Sequence, residues 1–250
     1  MSASPIKQTP EHLQASPFLT RTAALLGSST LQVLHSLHLL IVGIGAVGGA
    51  CAEALARSGV GHLTLIDGDT FDASNLNRQP FSSYSAIGHS KVEITLRQLQ
   101  DLAPTCQADG QTLFLTPERI PTLLDTMHVD GVIDAIDDLP AKVALLAEAH
   151  QRNIPVWSAM GAARKLDPLA FRITDIAKTQ ICPLARNVRH ALRQKGITKG
   201  IRCVWSSEPA QPLREGTLGS YMPVTATAGL LLAADVLQTY HNRAQQSSET

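Results

Sequence analysis

Leu39-Leu40-Ile41-Val42-Gly43-Ile44-Gly45-Ala46-Val47-Gly48-Gly49, then an alanine-rich stretch over 50–58, then His62-Leu63-Thr64-Leu65-Ile66-Asp67: this stretch decides the fold. The run 39–42 is apolar and short, as a buried strand is, and 62–67 reads as a second strand. Residues 50–58 read as a helix. Strand, glycine-rich turn, helix, strand is the unit from which a parallel sheet is wound. Gly43, Gly45 and Gly48 have the G-x-G-x-x-G spacing, and Asp67 follows Gly48 by 19 residues, close to the ~20 of a nucleotide fingerprint. The glycines let backbone N–H groups approach phosphates at a helix N-terminus, and Asp67 is placed to accept hydrogen bonds from ribose hydroxyls. The turn alone leaves open whether the nucleotide is NAD or ATP.

The next residues narrow that choice. Asp69, Asn75, Asn77, Arg78 and Gln79 fall within 11 residues. Hydride transfer has no need of such a cluster. Holding and cleaving a triphosphate does, because cations must meet the phosphates and polar groups the reacting oxygen. Arg78 supplies one cation. Lys91 supplies another, opening a helix after Gly88-His89-Ser90. Ile133-Asp134-Ala135-Ile136-Asp137-Asp138 falls at the C-terminal end of a strand, where open α/β sheets bind ligands. One of these carboxylates is expected to cap the helix that follows, and at least one to work on the nucleotide with Mg²⁺.

Outward from this unit the periodicity predicts helices over 23–37, 91–102, 117–127 and 140–151, and strands over 111–115, 129–135 and 154–158. Beyond 160 the alternation stops. Strands over 171–176 and 201–206 flank a helix over 183–196, and 224–240 reads as an apolar terminal helix. The expected fold is α/β: a Rossmann-like, doubly wound, mostly parallel sheet with a C-terminal extension completing it. One folded domain is expected over 18–241, with a nucleotide part over 38–160 and a second part over 161–241, between loose tails at 1–17 and 242–250.

Composition sets the outer limits. With 250 residues, 44% hydrophobic and 17% charged, the chain is no disordered polymer. Aromatics at 4% call for an aliphatic core, with Cys51, Cys203, Trp157 and Trp205 expected inside it. No apolar run reaches the ~18 residues of a membrane span, and the start carries no apolar signal core, so a cytoplasmic protein without a membrane partner is expected. Cys51, Cys106, Cys182 and Cys203 are far apart, which leaves no paired-cysteine zinc site and no disulfide framework.

Charge is uneven beneath a neutral total. Of 21 cationic residues, seven (Lys178, Arg186, Arg189, Arg193, Lys195, Lys199 and Arg202) lie within 176–207, which holds no acid. The other 14 face all 21 acids, so this segment carries +7 and the remainder −7. Leu184, Val188, Ala191 and Leu192 form an apolar stripe over 183–196, with Pro183 at its start and Gly196 at its end. Arg186, Arg189 and Arg193 fall on another face and read, with Lys195 and Lys199, as a ridge for nucleic-acid phosphates.

Taken together, 43–49, Leu65-Ile66-Asp67-Gly68-Asp69, Ser74-Asn75-Leu76-Asn77-Arg78-Gln79, Lys91 and 133–137 resemble the ThiF/MoeB/HesA superfamily of ubiquitin-activating-enzyme-like adenylyltransferases. Asn153-Ile154-Pro155-Val156, Ser158-Ala159-Met160-Gly161-Ala162, Leu166-Asp167-Pro168, 173–179, Pro183-Leu184-Ala185-Arg186 and Trp205-Ser206-Ser207-Glu208-Pro209 are similar to one branch, the tRNA threonylcarbamoyladenosine dehydratases. The resemblance spans about 18–240. It implies an ATP- and Mg²⁺-dependent enzyme that adenylates the carboxylate of N6-threonylcarbamoyladenosine at position 37 of tRNA and cyclises it. It also implies a homodimer linked to a cysteine desulfurase and its sulfur acceptor, and allows a monovalent cation.

By position, the resemblance assigns Gly43, Gly45 and Gly48 to the phosphates and Asp67 to the ribose, with Asp69 and Gln79 also at the nucleotide. Asn75 and Asn77 orient the reacting groups, Arg78 and Lys91 hold phosphates, and Asp137 holds Mg²⁺ with Asp134 beside it. Arg21 resembles an arginine that related dimers lend to the partner's site. Cys182 departs from the pattern, standing where an acid is expected before Pro183; it reads as an ordinary helix-start residue, with a reactive thiol as the alternative. A second reading of the chain is an adenylyltransferase acting on the C-terminus of a sulfur-carrier or ubiquitin-like protein, though the zinc cysteines common there are missing. A nicotinamide-dependent oxidoreductase would leave Arg78, Lys91 and the 134–138 carboxylates without a task, and a non-catalytic binding partner would not need the intact polar set.

Overall fold

A computed structural model of the chain describes residues 16–214 and 216–248. In chain order the strands are β1 (His38–Val42), β2 (His62–Asp67), β3 (Gln107–Thr112), β4 (Gly131–Asp134), β5 (Val156–Ala159), β6 (Phe171–Asp175) and β7 (Arg202–Ser206). The helices are α1 (Thr20–Leu26), α2 (Ser28–Ser36), α3 (Ala46–Arg57), α4 (Lys91–Leu102), α5 (Ile120–Thr126), α6 (Leu139–Gln151), α7 (Pro183–Gln194) and α8 (Met222–Ser248). The strands form one seven-stranded sheet in the order β3-β2-β1-β4-β5-β7-β6, parallel throughout except that β6 runs antiparallel to β7. This is the Rossmann-like, doubly wound α/β fold, with β6 and β7 completing the sheet.

Both faces of the sheet are covered, which is why its central strands are continuously apolar rather than alternating. Side chains still alternate in direction along each strand. Leu39, Ile41, Leu63, Leu65, Ile133, Trp157 and Val204 join the core under α2, α3, α4 and α8. Leu40, Val42, Ile66, Val132, Val156, Cys203 and Trp205 join the core under α5, α6 and α7. The order reverses at β1, which pairs with β2 on one side and β4 on the other. The crevice beyond the C-terminal ends of β1 and β4 is therefore the place where this architecture takes a ligand.

Several elements depart from expectation for local reasons. The helix expected over 23–37 is two helices, broken at Gly27 (φ +82°). The helix after the glycine-rich turn begins at Ala46, so part of the turn is its first turn. β3 lies at 107–112 rather than 111–115: a polar edge strand held by pairing with β2, while Leu113 and Leu115 lie partly buried in the loop beyond.

The tail expected over 242–250 is instead helix through Ser248. The end of α8 is anchored by Tyr240, whose hydroxyl donates to Asp130 O at 2.5 Å, by a hydrogen bond between His241 Nδ1 and Thr30 Oγ1 at 2.8 Å, and by buried Ala244. Of the opposite tail, expected over 1–17, residues 1–15 lie outside the described residues, and Pro17 opens a single 3-10 turn that buries Leu19. α8 is also long and apolar enough over Met222–Gln246 to cross a membrane (mean hydropathy 1.2), where no such run was expected. In this fold Val224, Ala228, Leu232, Ala233 and Val236 spend that apolarity on the core beneath the sheet.

Candidate active site

The glycine-rich turn leaves β1 with Gly43 in the left-handed region (φ +90°), its N–H donating to Ile66 O at 2.8 Å. A Cβ on Gly48 would lie 1.8 Å from Gly43 O, and one on Gly43 would lie 2.6 Å from Ala135 O. Turn, helix start and the exit of β4 are thus in backbone contact, which only glycine permits. Asp67 holds the turn in place. Its Oδ2 accepts the Ile44 N–H at 2.6 Å and its Oδ1 the Asp69 N–H at 2.8 Å. Asp69 in turn pairs with Lys91, Nζ to Oδ2 2.7 Å, and its carbonyl accepts the Lys91 N–H at 3.0 Å. Ser90 caps α4, its Oγ accepting the Glu93 N–H. The ammonium is buried while its partner's side chain is 52% exposed, so the carboxylate is open to solvent on one side.

A second network lies beside the first. Asp72 and Asn75 form a capping box around the 3-10 turn Ala73–Asn75. Hydrogen bonds from Ser74 to the Asp72 carboxylate hold it below its ordinary pKa. Asn75 is therefore buried and engaged with the backbone. Arg78 Nη1 donates to Ser74 O at 2.7 Å and to Asn77 Oδ1 at 2.9 Å, and Asn77 Nδ2 donates to Ser220 O at 2.8 Å. Gln79 is 8% exposed, and its Oε1 is buried with no hydrogen-bond partner. Its Nε2 lies 3.9 Å from where a Gly45 Cβ would stand, so the amide borders the glycine-rich turn.

The three carboxylates after β4 take three different roles. Asp138 caps α6, accepting the Ala141 N–H at 2.9 Å. Asp137 is exposed at the strand's C-terminal edge. Asp134, expected beside the nucleotide, is fully buried: Oδ2 meets Lys142 Nζ at 2.7 Å and Ser158 Oγ at 2.5 Å, and Oδ1 accepts the Ile136 N–H at 3.1 Å. Lys142, equally buried, also donates to Ile136 O at 2.8 Å. Asp134 braces β4, β5 and α6 and presents no surface to a ligand. Sequence reading missed Lys142, although a lysine among Ala141, Val143, Leu145 and Leu146 signals a buried partner.

The basic segment is only partly as expected. Ala185, Val188 and Leu192 turn inward, and Arg186, Arg193, Lys195 and Lys199 are exposed. Arg189 is not on the outer ridge: its guanidinium donates to Thr179 O at 3.0 Å and to Thr179 Oγ1. Arg202 is bound by both carboxylate oxygens of Asp235. Cys182 is buried at the start of α7. Trp157 and Trp205 are buried with their indole N–H groups bonded to Asp235 (3.0 Å) and Thr174 (2.9 Å), so both belong to the core. Arg21 stands exposed on α1, outside both hydrogen-bonded networks.

The sequence model of the ThiF family matches residues 19–250. The chain belongs to the ThiF family. Over 196 residues this ThiF-family chain is 39% identical to the tRNA threonylcarbamoyladenosine dehydratase of Bacillus subtilis, covering 78% of this chain and 77% of that one. It is also similar to two crystal structures of the Escherichia coli tRNA N6-threonylcarbamoyladenosine dehydratase. The complex with AMP gives a TM-score of 0.88 and the complex with ATP 0.86, each at 33% identity over 95% of this chain and 98% of that one.

Proposed function

We propose that this ThiF-family chain is an ATP-dependent tRNA threonylcarbamoyladenosine dehydratase, acting on N6-threonylcarbamoyladenosine at position 37 of tRNA. The observation that carries the reading is the agreement, over nearly the whole length of both chains, with an enzyme of that name solved with AMP and with ATP. The Ile44–Asp67–Asp69–Lys91 network and the Arg78 network at the switch of strand order support it. ATP is the nucleotide. The threonyl carboxylate attacks the α-phosphorus, the bond to pyrophosphate breaks, and an acyl adenylate results. The ureido group of the same nucleoside then attacks the acyl carbon, the C–O bond breaks, and AMP leaves. Ring closure is intramolecular, so proximity supplies much of its rate and no protein nucleophile is needed.

In this reading the backbone at Gly43, Gly45 and Gly48 cradles phosphates and Asp67 takes the ribose while fixing the turn. Arg78 and Lys91 neutralise charge that develops at phosphorus, with Asp69 handing Lys91 to the nucleotide. Asn75 shapes the 73–75 turn, and Asn77 positions Arg78. The unpaired Gln79 Oε1 supports a place for it at the nucleotide. Among the described residues no three His, Cys, Asp or Glu side chains are grouped to hold a resident metal. Mg²⁺ needs only one or two carboxylates when phosphates and water complete its shell, so exposed Asp137 fits an ion that arrives with ATP. When bound, that ion neutralises triphosphate charge.

Arg186, Arg193, Lys195 and Lys199 are the tRNA-facing cations of this reading. It includes a homodimer, supported by Leu169, Leu213, Leu218 and Met222, which stand exposed on or beside the loops flanking the site; Arg21 would reach the partner's site. We place the reaction in the cytoplasm, where tRNA is found and where four free cysteines stay reduced. The test is AMP and pyrophosphate release with tRNA that carries or lacks the threonylcarbamoyl group, with the nucleoside followed by mass. AMP release that requires the modified tRNA, with loss of one water from the nucleoside, is expected. AMP release only with a small carrier protein would move the chain to the carrier-activating reading.

A further inference from the structure

A cavity of about 400 Å³ opens where the chain leaves the C-terminal end of β5, the same edge of the sheet as the glycine-rich turn. Arg164, Lys165 and Arg214 line it with Gln211, Ser220 and Tyr221, and its described lining includes no carboxylate. Its wall is shared with the candidate active site, because Ser220 O accepts the Asn77 side-chain amide. The sequence reading assigned these cations nothing, and none belongs to the basic segment at 176–207.

The cavity is built, not incidental. Arg164 adopts a left-handed backbone (φ +58°), a conformation that needs support in a non-glycine residue. The support comes from both arms of one loop: the Arg164 N–H donates to Gly219 O and the Gln211 N–H to Arg164 O, each at 2.8 Å. Lys165 is 3% exposed and donates to Glu208 O. The Glu208 carboxylate is turned onto the backbone, accepting the Leu166 and Asp167 N–H groups at 3.0 Å. Tyr221 closes the rim by donating its hydroxyl to Leu166 O at 2.6 Å. Burial holds the Lys165 ammonium below the ordinary lysine pKa, although Cys182 and Glu208 oppose the shift. A cavity lined by Arg164, Lys165 and Arg214, with the Lys165 ammonium desolvated, gains from an oxyanion there.

We propose that this cavity is an anion site that takes a backbone phosphodiester of the RNA strand beside the reacting nucleoside. The proposal rests on the dehydratase reading and adds the residues that seat the strand. In the dehydratase reading the phosphates of ATP are taken by the glycine-rich turn, Arg78 and Lys91. The cavity adjoins Asn77 through Ser220, and its wall is cationic, which suits the backbone of a strand whose nucleoside reacts at the neighbouring site.

The test compares the full-length protein with Arg214→Gln, Arg164→Gln and the double variant, each checked for an unchanged melting curve. Arg214 lies on an exposed loop and gives a variant that folds even where Arg164→Gln does not. Affinity for tRNA with and without the threonylcarbamoyl group is measured over a salt series, together with ATP affinity and inhibition by pyrophosphate. Expected is about tenfold weaker binding of both RNAs, with a salt slope shallower by about one per lost phosphate contact, and ATP affinity unchanged. RNA affinity and slope as in the unaltered protein would overturn the proposal. So would weakening confined to the modified RNA, which would make the anion the threonyl carboxylate, or loss of pyrophosphate inhibition alone, which would make it the leaving group. An unaltered protein that neither binds tRNA nor releases AMP with it would overturn the dehydratase reading as well.

Discussion

At their N-terminal ends β1 and β2 set His38 opposite His62; at their C-terminal ends the same strands lead into Gly43 and Asp67. The first end is closed on itself. The two imidazoles stack at 3.8 Å, His38 Nε2 bonds Thr64 Oγ1 at 2.8 Å, Thr64 donates to Asp109 Oδ1, and Asp109 Oδ2 bonds His62 Nε2 at 2.7 Å. His38 Nδ1 finds His128 O at 2.9 Å, and its backbone N–H finds Asp130 Oδ2 at 2.8 Å. The second end holds similar chemistry but leaves it open: an amide oxygen without a partner at Gln79, an exposed carboxylate at Asp137, and a lysine paired with a half-exposed aspartate. Polar groups that satisfy one another stabilise a sheet end. Polar groups held rigid with valences to spare are what a ligand can use. Titratable residues alone do not distinguish the two ends; the distribution of their hydrogen bonds does.

The largest effect should come from removing the open groups. Arg78→Ala and Asp137→Ala are each expected to lower AMP release by about 10²–10³-fold, the scale of losing one preorganised charge-stabilising group. Neither side chain is fully buried, so the melting temperature should hardly move. Near-normal turnover in both variants would mean that the open end is not where the chemistry occurs.

Asp134 lies between the two behaviours, near the open end in sequence and closed in its bonding. Asp134→Ala strands a buried ammonium and should cost about 3–5 kcal/mol in urea unfolding. Replacing both partners, as in Asp134→Leu with Lys142→Met, should restore most of that loss, because no unpaired charge remains. If Asp134→Ala instead keeps its stability and loses only activity, Asp134 belongs to the site after all. Gly48→Ala should come next, at about 1–3 kcal/mol for an overpacked contact. The added Cβ would meet Gly43 O at 1.8 Å, so ATP affinity, read by calorimetry, should fall alongside stability.

Legibility in the sequence follows the range of the interactions involved. β1, α3 and β2 are set by a local pattern of apolar runs and glycines, and they lie where that pattern puts them. β3 is Gln107-Ala108-Asp109-Gly110-Gln111-Thr112, polar enough to read as loop, and is a strand because β2 offers it a ladder. The last turns of α8 depend on Asp130 and Thr30, more than a hundred residues away. The site divides in the same way. Asp67, Asp69, Arg78 and Lys91 were legible as spacing along one segment. The separation of Asp134 from Asp137 was not, because Lys142 and Ser158 decide it; nor was the inward turn of Arg189, which Thr179 decides.

The smallest effect tests the closed end through pH. Desolvation lowers the His38 pKa below its ordinary 6.5, and the neighbouring His62 lowers it further, while the His128 carbonyl, Asp109 and Asp130 pull the other way. The folded chain therefore binds its proton less readily than the unfolded one. Stability from this group is complete above pH 6.5 and is lost as pH falls from there through the folded-state value. Half-buried His35 shifts in the same direction through desolvation and adds to the slope. Melting temperature measured from pH 7.5 downward should hold and then decline below about pH 6.5. His62→Asn removes the like charge from the stack, so the decline should be shallower in that variant. A profile that ignores His62 would leave His35 as its source, and the stacked pair would then be only a packing contact.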